Sequence, residues 1–461
     1  MTDIAWDFFN KETTINLFHE EIDFIIKHLS KIPRNIAVAV SGGSDSMSLL
    51  ILMKYWSERT GISLICITID HKLRKESADE ALFVKNFCKK NNIEHVTLEW
   101  IRNYEKINSG KIENLARDAR YNLISKFCSQ KSIEVVATGH TWNDQLETFE
   151  MRKEAKSSEF GLAGISKIRS ISKDVKLIRP IMNFTRKHLQ DFLINEKVSW
   201  KNDPMNEDVN FKRVFHRKNI ELTDKEKLLQ KTAKIKLFGK QRREIEHQSV
   251  HFLKENLNPI QTKFGYTIFN TKKFLAEKND IQIEILKRTI WNIGGKKYAS
   301  KIDNDILQKI FGKKINTIGR CFIKANKKYT AIFRENRNLD ETIAVNSNGS
   351  YIFDNRFLIS VNDYEFHDEL MKYMILSRKK LGIIFGDNFE NNPDIPHEAL
   401  YSLPCLCMKK NNNNTEPVFI YGDNIVFYGY RTFETEKVRL KNNVFIKCEF
   451  IPKVNLFDVF L

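Results

Sequence analysis

No run of apolar residues in this sequence approaches the roughly 18 that a membrane-spanning helix requires, although 42% of its 461 residues are hydrophobic. A soluble globular chain with no membrane partner is therefore expected. The opening stretch "MTDIAWDFFNKETT" is too acidic for a secretory signal, which places the chain in the cytoplasm. Cysteine is scarce, with seven scattered along the chain. An odd, dispersed set argues against a disulfide framework and for reduced thiols. Only Cys405 and Cys407 lie close together, and a lone C-x-C without a second pair is a weak zinc signal that reads better as structural. Internal repeats are lacking too, and "NNNN" at 411–414 reads as a loop insertion.

What the sequence does have is positive charge. A net charge of +17 makes an acidic polymer such as RNA or DNA the natural partner, although a coding bias toward lysine would raise it too. The length suffices for about three domains. Residues 1–220 alternate strand and helix in the order of a parallel α/β sheet. Strands are expected at Ile36–Val40, Ser63–Asp70, Glu94–Trp100 and Ile133–His140, with helices at Met47–Trp56, Glu76–Asn91 and Ile112–Ser129. Residues 221–345 read as a mainly helical, basic domain, with a long charged helix running to Asn256 and a second, Ile281–Ile293, closed by Gly294-Gly295. A charge run of this kind is often only a solvated face. Residues 346–461 read as a β-rich domain, in which Asp354-Asn355 marks a hairpin turn in "YIFDNRFLISV".

Chemistry concentrates where "IAVAV" runs into "SGGSDS". Backbone amides at a helix N-terminus, with the hydroxyls of Ser41, Ser44 and Ser46 around the Gly42-Gly43 turn, would cradle an anion, helped by the helix dipole. The string is neither the G-x-x-x-x-G-K-[ST] phosphate loop nor G-x-G-x-x-G. Asp45 would repel a phosphate unless a divalent cation lay between them, which makes it intelligible as a Mg²⁺ ligand. Further on, Asp144 and Glu147 in "WNDQLET" share one helix face. They could receive a substrate ammonium, or Asp144 could simply pair with Thr141 in a cap. Arg117 and Arg120, again three apart, could fork onto phosphate oxygens or form surface salt bridges. His71 and Arg74 follow a strand end, and a lone histidine there is more often structural.

The motif S-G-G-S-D-S resembles the PP-loop of the ATP pyrophosphatase superfamily, whose members split ATP between its α and β phosphates. That resemblance implies a Rossmann-like fold of the adenine-nucleotide alpha hydrolase type, with Ser41, Gly42, Gly43, Ser44, Asp45 and Ser46 holding ATP and Asp45 holding Mg²⁺. Together with "IDHKLR" (Ile69 to Arg74), "ENLARDARY" (Glu113 to Tyr121), "GHTWNDQLETF" (Gly139 to Phe149), Arg179-Pro180 and "WKNDPMNEDVNFKR" (Trp200 to Arg213), it is similar to the tRNA(Ile)-lysidine synthetase family. The likeness is dense from Ile36 to Arg217. It implies ligation of L-lysine to the wobble cytidine of a tRNA(Ile) with a CAU anticodon, through an adenylated cytidine. Asp45, Asp144, Glu147 and Arg117 would be catalytic. Asp144, Glu147, Arg120, His71 and Arg74 would contact substrate, Asp203 and Asn206 would punctuate a turn near the site, and a homodimer is compatible with this reading.

Three positions depart from the family pattern. Asn143 stands where an acid is usual, "KEAKSSEFGLAG" after Arg152 is more polar than the usual glycine-rich loop, and Val214 replaces an asparagine. The rival readings are a tRNA thiolase of the same superfamily, an amide-forming synthetase and a non-enzymatic RNA binder. Thiolases use paired cysteines, whereas Cys66, Cys88 and Cys128 form no C-x-x-C. A synthetase would carry an ammonia-handling unit, and a mere RNA binder would have no use for the ATP loop.

Overall fold

The computed structural model describes residues 10–29, 31–72, 76–100, 112–172, 174–202, 212–257, 261, 264–296, 298–312, 314–339, 342–345, 348–363, 372–377, 379–380, 396–409, 415–420, 433–434, 437–439, 444–451 and 456. The chain divides into two compact units, the first built mainly from the residues up to Glu244 and the second being Ile245–Asp458.

The first unit is built on a six-stranded sheet ordered β3-β2-β1-β4-β6-β5. Its strands are β1 (Asn35–Ala39), β2 (Ser63–Asp70), β3 (Glu94–Glu99), β4 (Val135–Thr138), β5 (Ile168–Ser170) and β6 (Lys176–Ile178). All neighbours pair in parallel except β5, which runs antiparallel to β6 at the edge. The α/β expectation holds, and β1 is apolar from Ile36 to Ala39 because helices cover both faces of such a sheet. On one side α1 (Lys11–Lys27) and α2 (Ser44–Thr60) contribute Phe18, Ile22, Leu49, Leu52 and Trp56 to a core with Ile36 and Val38. Ala37, Ile67 and Val136 pack with Ile124 and Cys128 of α4 (Ile112–Gln130) in another cluster. The strand order reverses between β1 and β4, and ligands of doubly wound sheets bind at the carboxyl ends of strands at such a switch point.

Two local expectations shift. The helix after β1 begins at Ser44 rather than Met47, so Ser44, Asp45 and Ser46 form its first turn. β4 stops at Thr138, short of His140. The remaining helices of the unit are α3 (Glu76–Lys90), α5 (Trp142–Glu154), α6 (Glu159–Leu162), α7 (Arg186–Asn195), α8 (Lys212–Glu221) and the start of α9 (Lys225–Asn256).

The second unit opens with the rest of α9 and the helix Asn279–Gly294, which Gly295 terminates at φ 64°. Its apolar face, with Ile285, Leu286 and Ile293, packs on Phe274, Ile323 and Ile332. Strands follow, and the hairpin Asn348–Phe353 to Phe357–Asp363 is joined by three residues, of which Asp354 and Asn355 have positive φ and the Arg356 amide donates to the Phe353 carbonyl at 2.9 Å. Buried Asp354 accepts hydrogen bonds from Arg334 Nε at 2.9 Å and Arg356 Nε at 2.7 Å, and Arg320 completes the knot. Among the described residues no helix is long and apolar enough to cross a membrane.

Candidate active site

The loop after β1 is shaped by hydroxyls and by one glycine. Gly42 has φ +90°, a conformation that side-chain-bearing residues avoid. The Ser46 hydroxyl donates to the Gly43 carbonyl at 3.0 Å and accepts from the Ser41 amide at 3.2 Å, which closes the turn on itself. Gly139, just past β4, approaches so closely that a Cβ there would stand 3.1 Å from the Asp45 carbonyl oxygen. The ends of β1 and β4 are thus pressed together around the first turn of α2.

Asp45 does not face solvent alone. Its Oδ2 accepts from Arg186 Nε at 3.0 Å, and its Oδ1 accepts from the Ser44 hydroxyl at 3.3 Å. Burial pushes the Asp45 pKa upward and the charge of Asp144 adds to this, only partly offset by Arg186. Arg186 is the first residue of α7, and its backbone amide donates to Asn143 Oδ1 at 2.9 Å.

Asp144 occupies the first turn of α5, where its Oδ2 accepts from the Thr141 amide at 2.8 Å and the Thr141 hydroxyl at 3.0 Å. The capping alternative is therefore realised, and it leaves Oδ1 facing Arg213 Nη2 at 3.8 Å. Burial works against the charge of Asp144, yet Arg213 and the Thr141 amide hold its pKa below the usual value. Glu147, one turn on, is fully buried. Its Oε1 accepts from Arg217 Nε at 2.9 Å, and its Oε2 lies 3.5 Å from Arg213 Nε without a hydrogen bond. Burial, then Asp144, raise the Glu147 pKa against the pull of Arg217. Such an acid is poised to take up a proton. Beside the pair, burial and Arg179 push the His140 imidazole down to about 3, so it is neutral at physiological pH, with Nδ1 3.0 Å from Thr138 Oγ1.

The anticipated arginines of α4 lie on the same end of the sheet. The Arg117 guanidinium lies over the Tyr121 ring at 5.7 Å, with Arg169 at 4.7 Å. Burial would raise the Tyr121 phenol, but Arg117, Arg169 and Arg179 hold it below its usual value. Arg120 donates to His71 Nε2 at 3.3 Å, which brings two of the expected substrate contacts together. Arg74, Asp203 and Asn206 lie outside the described residues. Val214, one of the departures, is buried in α8 between its two arginines.

The polar segment after Arg152 is held by its backbone. The Gln145 side-chain amide donates to the Ile165 carbonyl at 2.8 Å and accepts from the Ile165 amide at 2.7 Å. Arg152 Nη1 donates to the carbonyls of Gly161 and Gly164 at 2.6 and 2.9 Å.

The motifs did not single out Arg186, His140 or the pairing of Arg213 and Arg217 with the acids. Arg186 carried a signal nonetheless. A cation at the first position of a helix opposes the macrodipole, so it implies an acid supplied from elsewhere in the fold. Arg213 and Arg217, four apart, share a helix face.

Residues 15–223 match the family model of the PP-loop domain. Over 433 residues the chain is 28% identical to a tRNA(Ile)-lysidine synthase of Wolbachia pipientis, an alignment covering 91% of this chain and 95% of that protein. A tRNA(Ile)-lysidine synthase of Orientia tsutsugamushi is 29% identical over 366 residues, covering 74% and 80%. Among solved structures, the U34-tRNA thiolase NcsA of Methanococcus maripaludis superposes with a TM-score of 0.42 at 15% identity, over 51% of this chain and 80% of that one. Residues 15–223 thus carry a PP-loop domain, and the chain is similar along nearly its whole length to proteins named tRNA(Ile)-lysidine synthase.

Proposed function

We propose that this protein ligates L-lysine to C2 of the wobble cytidine of a tRNA(Ile) with a CAU anticodon, at the expense of ATP. The observation that carries this reading is the meeting of a PP-loop acid, Asp45, with the α5 pair Asp144 and Glu147 at one end of the sheet. In the first step the C2 oxygen of the cytidine attacks the α-phosphate of ATP, giving an adenylated base and pyrophosphate. In the second the ε-amine of lysine attacks C2 and expels AMP.

The loop amides and the hydroxyls of Ser41, Ser44 and Ser46 bind the pyrophosphate portion, with Gly42 and Gly43 allowing close approach. Arg117 and Arg120 stabilise negative charge on the adenylate, and His71 and Arg74 contact substrate. Asp144 and Glu147 receive the lysine ammonium, and the raised pKa of Glu147 suits it to take the proton that frees the amine. Arg213 and Arg217 screen those acids until lysine replaces them. Asp45 offers a hard oxygen donor beside the loop, and among the described residues no trio of metal-ligating side chains surrounds it. That donor set fits Mg²⁺, which takes one or two carboxylates and completes its shell with phosphate oxygens and water. When bound, Mg²⁺ would neutralise charge on the departing pyrophosphate. The exposed lysines of α9 and the β-rich region bind the tRNA body, and the protein works in the cytoplasm.

The test is to supply ATP, radiolabelled lysine and a CAU-anticodon tRNA. Label should enter the RNA with the wild-type protein and not with Asp45→Asn, whose melting temperature should stay within a few degrees. Thiol-dependent sulfur transfer without lysine incorporation would establish the alternative, a PP-loop tRNA thiolase. That alternative has less support, because Cys66, Cys88 and Cys128 are all buried.

A further inference from the structure

Arg186 is fixed from three directions. Its amide is held by Asn143 Oδ1 at 2.9 Å. The Thr185 hydroxyl caps α7 by accepting from the His188 amide at 3.2 Å. The Ser48 hydroxyl of α2 donates to the Leu189 carbonyl at 3.1 Å, which docks α7 onto the helix that carries Asp45. The guanidinium is thereby delivered to the Asp45 carboxylate, with both side chains about one-fifth exposed. Burial disfavours its charge, but Asp45, Asp144 and Glu147 together more than offset that cost.

The cluster is already balanced. Three carboxylates, Asp45, Asp144 and Glu147, face three guanidiniums, Arg186, Arg213 and Arg217. A free divalent cation arriving at Asp45 would add two positive charges to a neutral, half-buried site, and it would compete with Arg186 for Oδ2. A cation arriving with a triphosphate would bring a net negative charge and offer Arg186 a second anion.

Resting on the reading of Asp45 as the metal ligand, we propose that Arg186 is a positioning residue that occupies the Asp45 carboxylate in the nucleotide-free enzyme and releases it only to a cation carried by nucleotide. Metal and ATP then enter together, and the loop is not filled by a cation alone. Arg186 acts through Asp45 and forms no bond to the reacting atoms.

The test uses Mn²⁺, which shares the oxygen preference of Mg²⁺ and is visible by electron paramagnetic resonance, with the full-length protein and no nucleotide. The wild type should bind Mn²⁺ weakly. Arg186→Met, which keeps length but not charge, should bind at least about tenfold more tightly, the effect expected from removing a nearby like charge. Arg186→Lys, which keeps the charge, should stay near the wild type. The gain in Arg186→Met should vanish in the double variant with Asp45→Asn. Wild-type binding as tight as that of Arg186→Met, or a gain as large in Arg186→Lys, would overturn the proposal. A gain that survives Asp45→Asn would instead remove Asp45 as the metal ligand, a different failure. Tight Mn²⁺ binding by the wild type without nucleotide would overturn the proposal by itself, so the test does not depend on every variant folding.

Discussion

Arg217 Nε stands 2.9 Å from Glu147 Oε1, joining α8 to α5 across seventy residues of sequence through a carboxylate that has no exposed surface. Removing one partner of a buried ion pair strands the other charge, which is far costlier than removing both. Arg217→Met should therefore cost about 3 kcal/mol of stability. The double variant Arg217→Met/Glu147→Gln should recover much of that loss. Urea unfolding of the single and double variants, read as a double-mutant cycle, checks both statements.

Acid should act on the first unit through His140. Its folded pKa, near 3, lies below its unfolded value of 6.5. The unfolded chain thus binds the proton more readily between those limits. The stability contributed by the neutral imidazole is present above pH 6.5 and is lost as pH falls toward 3. His140→Gln should flatten this part of the stability profile between pH 6.5 and 5, as measured by thermal unfolding at a series of pH values. An unchanged slope would mean that other groups dominate.

Two glycines should fail for different reasons. Gly42→Ala meets only ordinary contacts at 3.6 Å or more, so its cost is torsional, about 1–2 kcal/mol for a left-handed residue. Gly139→Ala places a methyl 3.1 Å from backbone that cannot rotate away, so it should displace the first turn of α2. Both should weaken ATP binding by calorimetry. Only the second should also disturb the Asp45 to Arg186 pair.

RNA affinity should fall steeply with salt, because each neutralised phosphate releases counterions. Lys236 and Lys240, exposed and four apart on α9, are suited to this role. Changing both to Gln should lower the log–log salt slope by about 1 for each phosphate no longer neutralised, measured by filter binding across a salt series. An unchanged slope would mark this stretch as a solvated face.

The sheet was readable in the sequence because its strands are apolar runs with polar ends and its helices have the right period. The hairpin turn at Asp354-Asn355 was equally plain. β5 and β6 were not, since three residues carry too little period to register. The site was half legible. Ser41 to Ser46 and the Asp144/Glu147 pair announce themselves as local strings, whereas Arg186 reaches Asp45 from 141 residues away. No local pattern encodes such a pairing, beyond the oddity of a basic residue opening a helix. Nor could spacing decide between capping and ligand binding for Asp144, because the same carboxylate has one oxygen for each.

Gln145 treats residue 165 as a neighbouring strand would, giving one hydrogen bond and taking one, while Arg152 reads only carbonyls at 161 and 164. Recognition of the segment thus falls on peptide groups that every amino acid shares. Glu154 nonetheless pairs with His216 Nε2 at 3.2 Å, and Gly164 sits at φ +68° against Gln145, so the freedom to change is confined to exposed positions such as Lys153, Lys156 and Ser158. Variation can accumulate at those exposed positions, while the glycines and peptide groups between them stay fixed.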